Sequence, residues 1–247
     1  MLKSETYKMD CLEFMKKCKD QQFSLLFTDP PFGDAGTGEY TNRETGRFGP
    51  MFEKYHSDLK PVQKVNHALG GNTFKKYDNE IAHWDFAPSP EWWDEAWRIA
   101  KNIAVWGGNY FDLPPSRNFI IWLKPVPENF SLAQMEYCWV SIPGNARIIQ
   151  ARPQDKFRFH PTQKPVPVFQ KPLQWLKKHI DPVKGILDPF MGSGSSRIAA
   201  WDESINYVGI ELNEIYFNKQ EERFAEHVAK GSLHDVVEVT ESKEGLF

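Results

Sequence analysis

Hydrophobic and polar positions along the first thirty residues follow the pattern of a strand, a helix and a second strand. We predict a strand over residues 6–9 and a helix over 12–19, where apolar residues stand at positions 12, 14 and 15. The run Phe23-Ser24-Leu25-Leu26-Phe27 is apolar nearly throughout and ends just before Asp29. Such a run is typical of a strand that is buried on both faces of a parallel sheet.

Periodicity disappears between Gly33 and Ala82 and returns at Ser89. A long segment without periodicity inside a compact domain is usually functional or mobile. Ser89 as a cap, Pro90 at the first helical position and an early Glu predict a helix that runs to about Ala100. Strands are predicted over 103–106 and 119–123. The buried face of the helix is expected to contain Trp92, Trp93, Ala96, Trp97 and Ala100.

The last third of the chain alternates between helical and strand patterns. A helix is predicted over 166–180, with a kink at Pro172. The predicted elements that follow are a strand over 185–187, a helix over 195–201, a strand over 207–210, a helix over 213–230, and an edge strand or frayed end over 234–247. This alternation predicts an α/β protein with a doubly wound, mainly parallel sheet.

Composition places the chain among globular proteins. Its 247 residues, 40% of them hydrophobic and 26% charged, suffice for one sizeable core, so we expect a single domain over 1–247. No apolar run approaches the roughly 20 residues of a membrane helix, and the amino terminus carries no apolar signal core. The three scattered cysteines argue against a disulfide framework or a cysteine zinc site. We therefore expect a cytoplasmic protein without a metal.

Charge is distributed unevenly, although the formal net charge is only -3. Residues 141–171 contain six basic side chains and one acidic one, whereas residues 202–247 contain eleven acidic and four basic ones. A basic stripe with interleaved amides and aromatic rings is typical of phosphate contact, and a solvated loop is the alternative. The candidate nucleic-acid contacts in the stripe are Arg147, Arg152, Lys156 and Arg158.

A glycine-rich turn, Asp188-Pro189-Phe190-Met191-Gly192-Ser193-Gly194-Ser195-Ser196, joins a predicted strand to a predicted helix. Glycines let a backbone approach a ligand closely, and a helix amino terminus attracts an anion. Glu211 ends the next strand, where an acid can accept hydrogen bonds from both hydroxyls of a ribose. The combination indicates a nucleoside cofactor, although a packing turn is the alternative. Arg197 occupies the position of the third glycine of the dinucleotide fingerprint, which disfavours NAD.

The segment Asp29-Pro30-Pro31-Phe32 follows the first buried strand directly. Two prolines remove both N–H donors and leave carbonyl oxygens as acceptors beside the Asp29 carboxylate. Such acceptors suit the exocyclic amine of a nucleobase, which gains positive charge as it attacks a methyl group. Phe32 offers a ring on which a base can stack. A proline-rich turn whose aspartate caps a neighbouring group is the alternative interpretation.

Taken together, these motifs resemble those of the DNA amino-methyltransferases, which use S-adenosylmethionine. Their order, with the catalytic motif first and the cofactor loop near the carboxyl end, is that of the β group, a circular permutation of the usual methyltransferase order. The resemblance extends from Asp10 to about Arg223, and Phe32 replaces the commoner tyrosine. The segment 160–165, His-Pro-Thr-Gln-Lys-Pro, lies between these two motifs and is the third that carries the resemblance. Further matching segments, as in phage and prophage members, are 84–85, 106–111 and 121–124.

The resemblance implies a role for individual residues. It makes Asp29, Pro30, Pro31 and Phe32 the catalytic motif, and it makes Lys164 a charge partner for the cofactor carboxylate. Asp10 is implied to reach the adenine of the cofactor and Glu211 its ribose. The full set of implied cofactor-binding residues is Asp10, Cys11, Thr162, Gln163, Lys164, Asp188, Phe190, Gly192, Gly194, Ser195, Glu211 and Leu212.

The implied function is transfer of a methyl group to N6 of adenine in double-stranded DNA, with the target base flipped out of the helix. Family members with Asp at position 29 mostly modify adenine, but cytosine N4 stays open as an alternative. RNA or a protein glutamine as substrate, and a DNA-binding module with an inactive cofactor site, are further alternatives. We expect residues 33–82 and 141–158 to be insertions that recognise DNA, and a homodimer and a paired restriction enzyme are open.

Overall fold

A sheet of eight strands lies at the centre of the computed structural model, which describes residues 2–32, 86–126, 133–153 and 158–241, the side chains of 232–241 excepted. The strands are β1 (Ser4–Lys8), β2 (Leu25–Thr28), β3 (Ile103–Trp106), β4 (Phe119–Leu123), β5 (Met135–Val140), β6 (Arg147–Gln150), β7 (Ile186–Asp188) and β8 (Tyr207–Glu211). Their order across the sheet is β1-β8-β7-β2-β3-β5-β4-β6. Within the described ranges only β5 runs antiparallel to its neighbours. The predicted α/β class and mainly parallel sheet are confirmed.

Helices cover both faces of this sheet. They are α1 (Cys11–Met15), α2 (Pro90–Ile99), α3 (Val166–Leu176), α4 (Ser195–Asp202) and α5 (Glu214–Glu241), with 3-10 turns at Gly108–Tyr110 and Lys177–His179. In the part of the chain that the structure describes, no helix is long and apolar enough to cross a membrane.

Strand β2 shows how the two faces are filled. Phe27 belongs to the core beneath α3 and α4, where its ring meets Phe169 edge to face at 5.1 Å. Its neighbour Leu26 points the other way, into the core shared with Met15 of α1 and Trp92 of α2. Burying a side chain of this size stabilises a fold by about 2 kcal/mol, so both faces hold the strand in place.

Helix α2 begins as predicted, because the Ser89 side chain accepts a hydrogen bond from the Trp92 backbone N–H at 3.2 Å. Its buried residues are Trp92, Ala96 and Ile99. The prediction that Trp97 lies on the buried face is wrong, since this side chain is 42% exposed, with its ring edge to face against Trp139 at 5.9 Å.

Other predicted boundaries need correction. Helix α1 ends at Met15 rather than at residue 19, and α3 ends at Leu176, where a 3-10 turn replaces the predicted continuation to 180. The backbone of α5 stays helical to Glu241, so the tail is not an edge strand over that stretch. Strands β5 and β6 were not predicted, because their short patterns include charged and polar residues that only pairing with β3 and β4 makes extended.

Parallel pairing brings the carboxyl ends of seven strands to one edge of the sheet, and the antiparallel β5 starts at that same edge. The strand that precedes Asp29 lies directly beside the strand that precedes the glycine-rich turn, since β2 pairs with β7. Both motifs therefore meet at one edge, where ligands bind in doubly wound sheets.

Candidate active site

Asp188 fastens the two central strand ends together. Its carboxylate accepts hydrogen bonds from the Thr28 hydroxyl at 2.6 Å, the Ser196 hydroxyl at 2.5 Å and the Phe190 backbone N–H at 3.1 Å. The side chain is 1% exposed, and burial raises its pKa to about 6 despite these donors. Asp188 thus links β2, β7 and the start of α4, and its predicted contact with the cofactor stays a prediction.

The glycine-rich turn adopts a conformation that its glycines make possible. Gly192 and Gly194 have φ angles of +51° and +73°, in the left-handed region that other residues rarely adopt. A Cβ on Gly192 would lie 3.3 Å from the ring of His160, and one on Gly194 would lie 3.2 Å from Gln220. The Ser195 hydroxyl donates to the Lys164 carbonyl at 2.6 Å, which joins this turn to the 160–165 segment.

Glu211 lies beside the glycine-rich turn at the end of β8. Its carboxylate accepts hydrogen bonds from the backbone N–H groups of Gly192 at 2.9 Å and Asn213 at 2.8 Å. Burial raises the pKa of this carboxyl to about 7, although the two N–H groups oppose the shift. Two accepted bonds leave further lone pairs on the oxygens, so the side chain can still accept from a ligand.

Asp10 lies in line with Glu211 because β1 pairs with β8, with Lys8 opposite Glu211. The Asp10 side chain caps α1 by accepting from the Glu13 N–H at 3.0 Å. Cys11 follows it, and burial raises the pKa of that thiol to about 12, so it stays protonated at neutral pH. The predicted acids for adenine and ribose thus stand at the ends of adjacent strands.

The 160–165 segment is packed between the glycine-rich turn and α5. The His160 ring meets Tyr216 edge to face at 4.3 Å, and its Nδ1 accepts from the Thr162 backbone N–H at 3.3 Å. Burial, with the charges of Arg158 and Lys164, lowers the pKa of His160 to about 3, so the ring is neutral. Gln163 is buried as well. The segment therefore forms a fixed wall of the site.

Lys164 lies between two protein carboxylates. Its ammonium donates to Asp29 Oδ2 and forms an ion pair with Glu136 at 3.0 Å. Burial disfavours the ammonium, but the two carboxylates outweigh burial and raise the pKa of Lys164. The predicted role of Lys164 as a partner of the cofactor carboxylate stays a prediction, and the structure adds that two protein carboxylates share its charge.

Glu136 and Lys124 belong to the site, and neither was assigned a role from the sequence. Lys124 Nζ lies 2.5 Å from Glu136 Oε1 and 4.8 Å from the centre of the Trp122 ring. A glutamate inside the otherwise apolar pattern Met135–Val140 was the available signal, because acids are rarely buried without a partner. Its partner, however, could not be inferred from spacing.

Asp29 follows β2, and its two carboxylate oxygens have different surroundings. Oδ2 receives the Lys164 ammonium, whereas Oδ1 is inaccessible to solvent and has no hydrogen-bond partner among the described residues. Burial raises the pKa of Asp29, Lys164 opposes this, and Glu136 adds to it. A buried acceptor without a donor is costly, which is typical of a site prepared for a ligand.

Phe32 lies at the rim of the same site. Its ring stacks on Tyr110, with centroids 4.7 Å apart and planes 29° apart, and it also contacts Phe111 at 6.2 Å. Gly107 makes this placement possible, since a Cβ there would lie 2.1 Å from a Phe32 ring carbon. Gly107 also has a φ of +69°. The Phe32 ring of the predicted catalytic motif thus packs against Gly107 and the Tyr110 ring.

The predicted basic stripe is less uniform than its composition suggests. Arg147 lies on edge strand β6 and covers the Trp175 ring at 5.0 Å, and Arg152 is exposed just beyond that strand. Arg158 is exposed and donates to the His160 carbonyl at 3.1 Å. Lys164 is buried and paired with acids. Lys156 and the predicted insertion 33–82, like residues 84–85, lie outside the described residues.

Comparison with protein families supplies the identity that this geometry suggests. A family model described as a DNA methylase, that of the N6/N4 methyltransferases, matches residues 23–222. The chain belongs to this family. The predicted β-group resemblance is confirmed, and the chain is a DNA methyltransferase whose family depends on S-adenosylmethionine.

Individual relatives agree with this assignment. The type II methyltransferase M2.MboI of Moraxella bovis is 26% identical over 262 aligned positions, which cover 89% of this chain and 87% of that protein. The type II methyltransferase M.HinfI of Haemophilus influenzae is 24% identical over 250 aligned positions, which cover 89% of this chain and 67% of that protein. The protein YubD of Escherichia coli strain K12 is 44% identical over 68 residues, 28% of this chain and 29% of its own length.

Solved structures share the fold at low identity. The Thermus thermophilus protein TTHA0409 superposes with a TM-score of 0.51 at 16% identity, covering 92% of this chain and 96% of that chain. The PvuII DNA methyltransferase, named as cytosine-N4-specific, gives a TM-score of 0.50 at 15% identity. The superposition covers 90% of this chain and 87% of that chain. These likenesses agree with the confirmed α/β architecture.

The residues at this edge fit S-adenosylmethionine. Glu211 keeps acceptor capacity for ribose hydroxyls, and Gly192 and Gly194 leave space that side chains would fill. Leu212 is 64% exposed next to Glu211, which offers an apolar surface to a purine. Within the described ranges no cluster of three or more histidines, cysteines and acids is placed to hold a metal ion.

Proposed function

We propose that this DNA methyltransferase modifies N6 of adenine in double-stranded DNA after the target base has been flipped out. Asp29 Oδ1 carries the proposal, because it is a buried acceptor without a partner among the described residues, next to the strand that leads into the glycine-rich turn. A base inside a duplex cannot reach such an atom, which is why flipping is required.

Asp29 and Pro30 would activate the amine. An exocyclic amine shares its lone pair with the ring, so it is a weak nucleophile until acceptors hold its two N–H groups. Asp29 Oδ1 accepts one N–H bond and the Pro30 carbonyl accepts the other, which localises the lone pair on nitrogen and stabilises its growing positive charge. The proton that nitrogen releases after methylation passes to Asp29, whose raised pKa favours accepting it.

Phe32 would stack on the flipped base. Its ring already packs against the Tyr110 ring, so aromatic surface is available on this side of the site. The base either enters between the two rings or displaces one of them.

S-adenosylmethionine, when bound, supplies an electrophilic methyl group on a sulfonium. We assign its ribose to Glu211, its adenine to Asp10 and Leu212, and its methionine portion to Phe190 and the glycine-rich turn. The packing of these groups at the ends of β1, β8 and β7 supports the assignment. The further proposed contacts are Cys11, Thr162, Gln163, Lys164, Asp188, Gly192, Gly194 and Ser195.

DNA contact is proposed for the exposed arginines of the basic stripe. Arg147, Arg152 and Arg158 all reach solvent on the β6 side of the sheet or in the segment that follows it. Lys156 and residues 33–82 complete the proposed DNA surface. Because two relatives are type II methyltransferases, pairing with a restriction enzyme in the cytoplasm of a bacterial or phage-infected cell belongs to the proposal, as does homodimer formation.

Mass spectrometry of reacted DNA tests the proposal. The protein is incubated with S-adenosylmethionine and unmethylated DNA, and the digested nucleosides are analysed for N6-methyladenine. Asp29→Ala should abolish the product, whereas Asp20→Ala should not, since Asp20 is an exposed acid before the other end of β2. N4-methylcytosine would keep the mechanism and overturn the choice of base. Cofactor binding without any product on varied DNA would refute the assignment to DNA adenine, and no cofactor binding would indicate an inactive site.

A further inference from the structure

Four charged side chains form a continuous ion-pair network that begins at the proposed catalytic motif. Asp29 pairs with Lys164, Lys164 pairs with Glu136 at 3.0 Å, and Glu136 pairs with Lys124 at 2.5 Å. The four side chains are each 25% exposed or less, and their charges alternate and sum to zero. Buried ions are tolerated only when they are paired in this way, so each member depends on the others.

Strand pairing positions Glu136 and Lys124, the two members of the ion-pair network that lie farthest from Asp29. Glu136 stands opposite Trp122 in the antiparallel pair β4–β5, and the Lys124 backbone N–H donates to the Gln134 carbonyl at 2.8 Å. Glu136 and Lys124 therefore emerge from adjacent paired strands at the edge where β2 ends. Strand pairing holds these two side chains, whereas Lys164 comes from the irregular 160–165 segment.

The two carboxylates of the ion-pair network have different numbers of lysine partners. Among the described residues Asp29 forms an ion pair with the Lys164 ammonium, while Glu136 forms ion pairs with both Lys164 and Lys124. The groups whose charges act on Asp29 are thus Lys164 and Lys124, which favour its ionised form, and Glu136, which disfavours it. Asp188, across the strand pair, is the other nearby acid.

We propose that Glu136 is a positioning residue, which shares the Lys164 ammonium with Asp29 and so keeps Asp29 basic enough to accept protons from the substrate amine. Lys124 balances Glu136 and limits how far it draws Lys164 away. The consequence of this arrangement for catalysis rests on the proposed function, because Asp29 must face an amine for its basicity to matter.

Opposite variants separate this role from a structural one. Glu136→Gln keeps the shape of the side chain but removes a negative charge, so Lys164 serves Asp29 alone and the Asp29 titration midpoint should fall. Lys124→Met removes a positive charge, so the midpoint should rise. A role confined to folding would not move the midpoint in opposite directions.

Carbon NMR of protein labelled at aspartate carboxyl carbons measures the midpoint without relying on activity. The Asp29 resonance is identified by its loss in Asp29→Asn, and its shift is followed against pH in each variant. Glu136→Asp should restore the wild-type midpoint at least in part. Lys177→Met is the matched control, since it removes a lysine from the ion pair with Glu203 and should leave Asp29 unchanged.

Unchanged midpoints in both variants, or shifts in the same direction, would overturn the inference. If Glu136→Gln does not fold, Lys124→Met and the double variant still decide, because adding Glu136→Gln to Lys124→Met should lower the midpoint that Lys124→Met alone had raised. The pH dependence of methyl transfer at saturating cofactor should shift in the same directions as the midpoints. A wild-type protein that methylates no DNA while the midpoints move as expected would refute the proposed function and leave the electrostatic role standing.

Discussion

Binding of the cofactor should depend on pH through Glu211. Burial raises the pKa of this carboxyl to about 7, and the ionised form is the better acceptor for ribose hydroxyls. With that pKa, roughly nine-tenths of Glu211 is ionised at about pH 8 and roughly one-tenth at about pH 6. If only the ionised form binds fully, the dissociation constant should rise about tenfold as the pH falls from 8 to 6. This corresponds to a loss of about 1.4 kcal/mol of binding free energy.

Isothermal titration calorimetry with S-adenosylhomocysteine measures this dependence without turnover. Glu211→Gln has no carboxylate at any pH, so it should bind more weakly than wild type at pH 8. At pH 6 the two proteins should bind with nearly equal affinity. Glu203→Gln is a suitable control, because Glu203 lies after α4 and pairs with Lys177 and Gln174 of another surface. A wild type and a Glu211→Gln variant with parallel pH profiles would refute the assignment of Glu211 to the ribose.

Stability should carry the same signature with a definite sign. The folded-state pKa of Glu211 lies above its ordinary value of 4.5, so the unfolded chain gives up this proton first as pH rises. The contribution of Glu211 therefore favours the folded state below pH 4.5 and is lost as pH rises through 7. Urea unfolding of Glu211→Gln should lack that part of the decline between pH 5 and 8, and an identical decline in both proteins would contradict the shift.

Two further predictions concern the rim of the site. Gly107→Ala should cost about 1 kcal/mol for its left-handed backbone, and more because its Cβ would displace the Phe32 ring. In a Phe32→Ala background only the backbone cost should remain, which urea unfolding of the double-mutant cycle measures, and strictly additive effects would contradict the contact. Replacing Arg147, Arg152 and Arg158 with Ala should weaken DNA binding and reduce its salt slope by up to roughly 3, measured by titration at several salt concentrations. An unchanged slope would remove these arginines from the DNA surface.

Local patterns were sufficient for much of the fold. Strands β3 and β4 have the predicted bounds, and α2 starts at its predicted cap. These elements are encoded by apolar runs and by capping and turn residues, which act over a few residues. The edge strand β6 was missed because its four residues include Arg147 and Gln150, and only pairing with β4 makes them a strand.

Motif order was enough to predict the family by resemblance, and the proposed catalytic and cofactor motifs each lie at the end of a buried strand. The residues within each motif are close in sequence, so each motif can be recognised from its local sequence alone. The sequence also placed Glu211 at the end of the next strand, and in the structure this side chain accepts a hydrogen bond from the Gly192 N–H.

Tertiary structure decided where the charges go. Asp29 and Lys164 are 135 residues apart, and Thr28 and Asp188 are 160 apart, so no local pattern could pair them. Sheet order places β2 beside β7, and the antiparallel entry of β5 brings Glu136 to the same edge. The sequence by itself therefore determined the motifs and most of the elements, because these depend on neighbouring residues, whereas β5 and β6 depend on pairing with other strands. Which carboxylates share an ammonium depends on strand order and burial, which exist only in the folded chain.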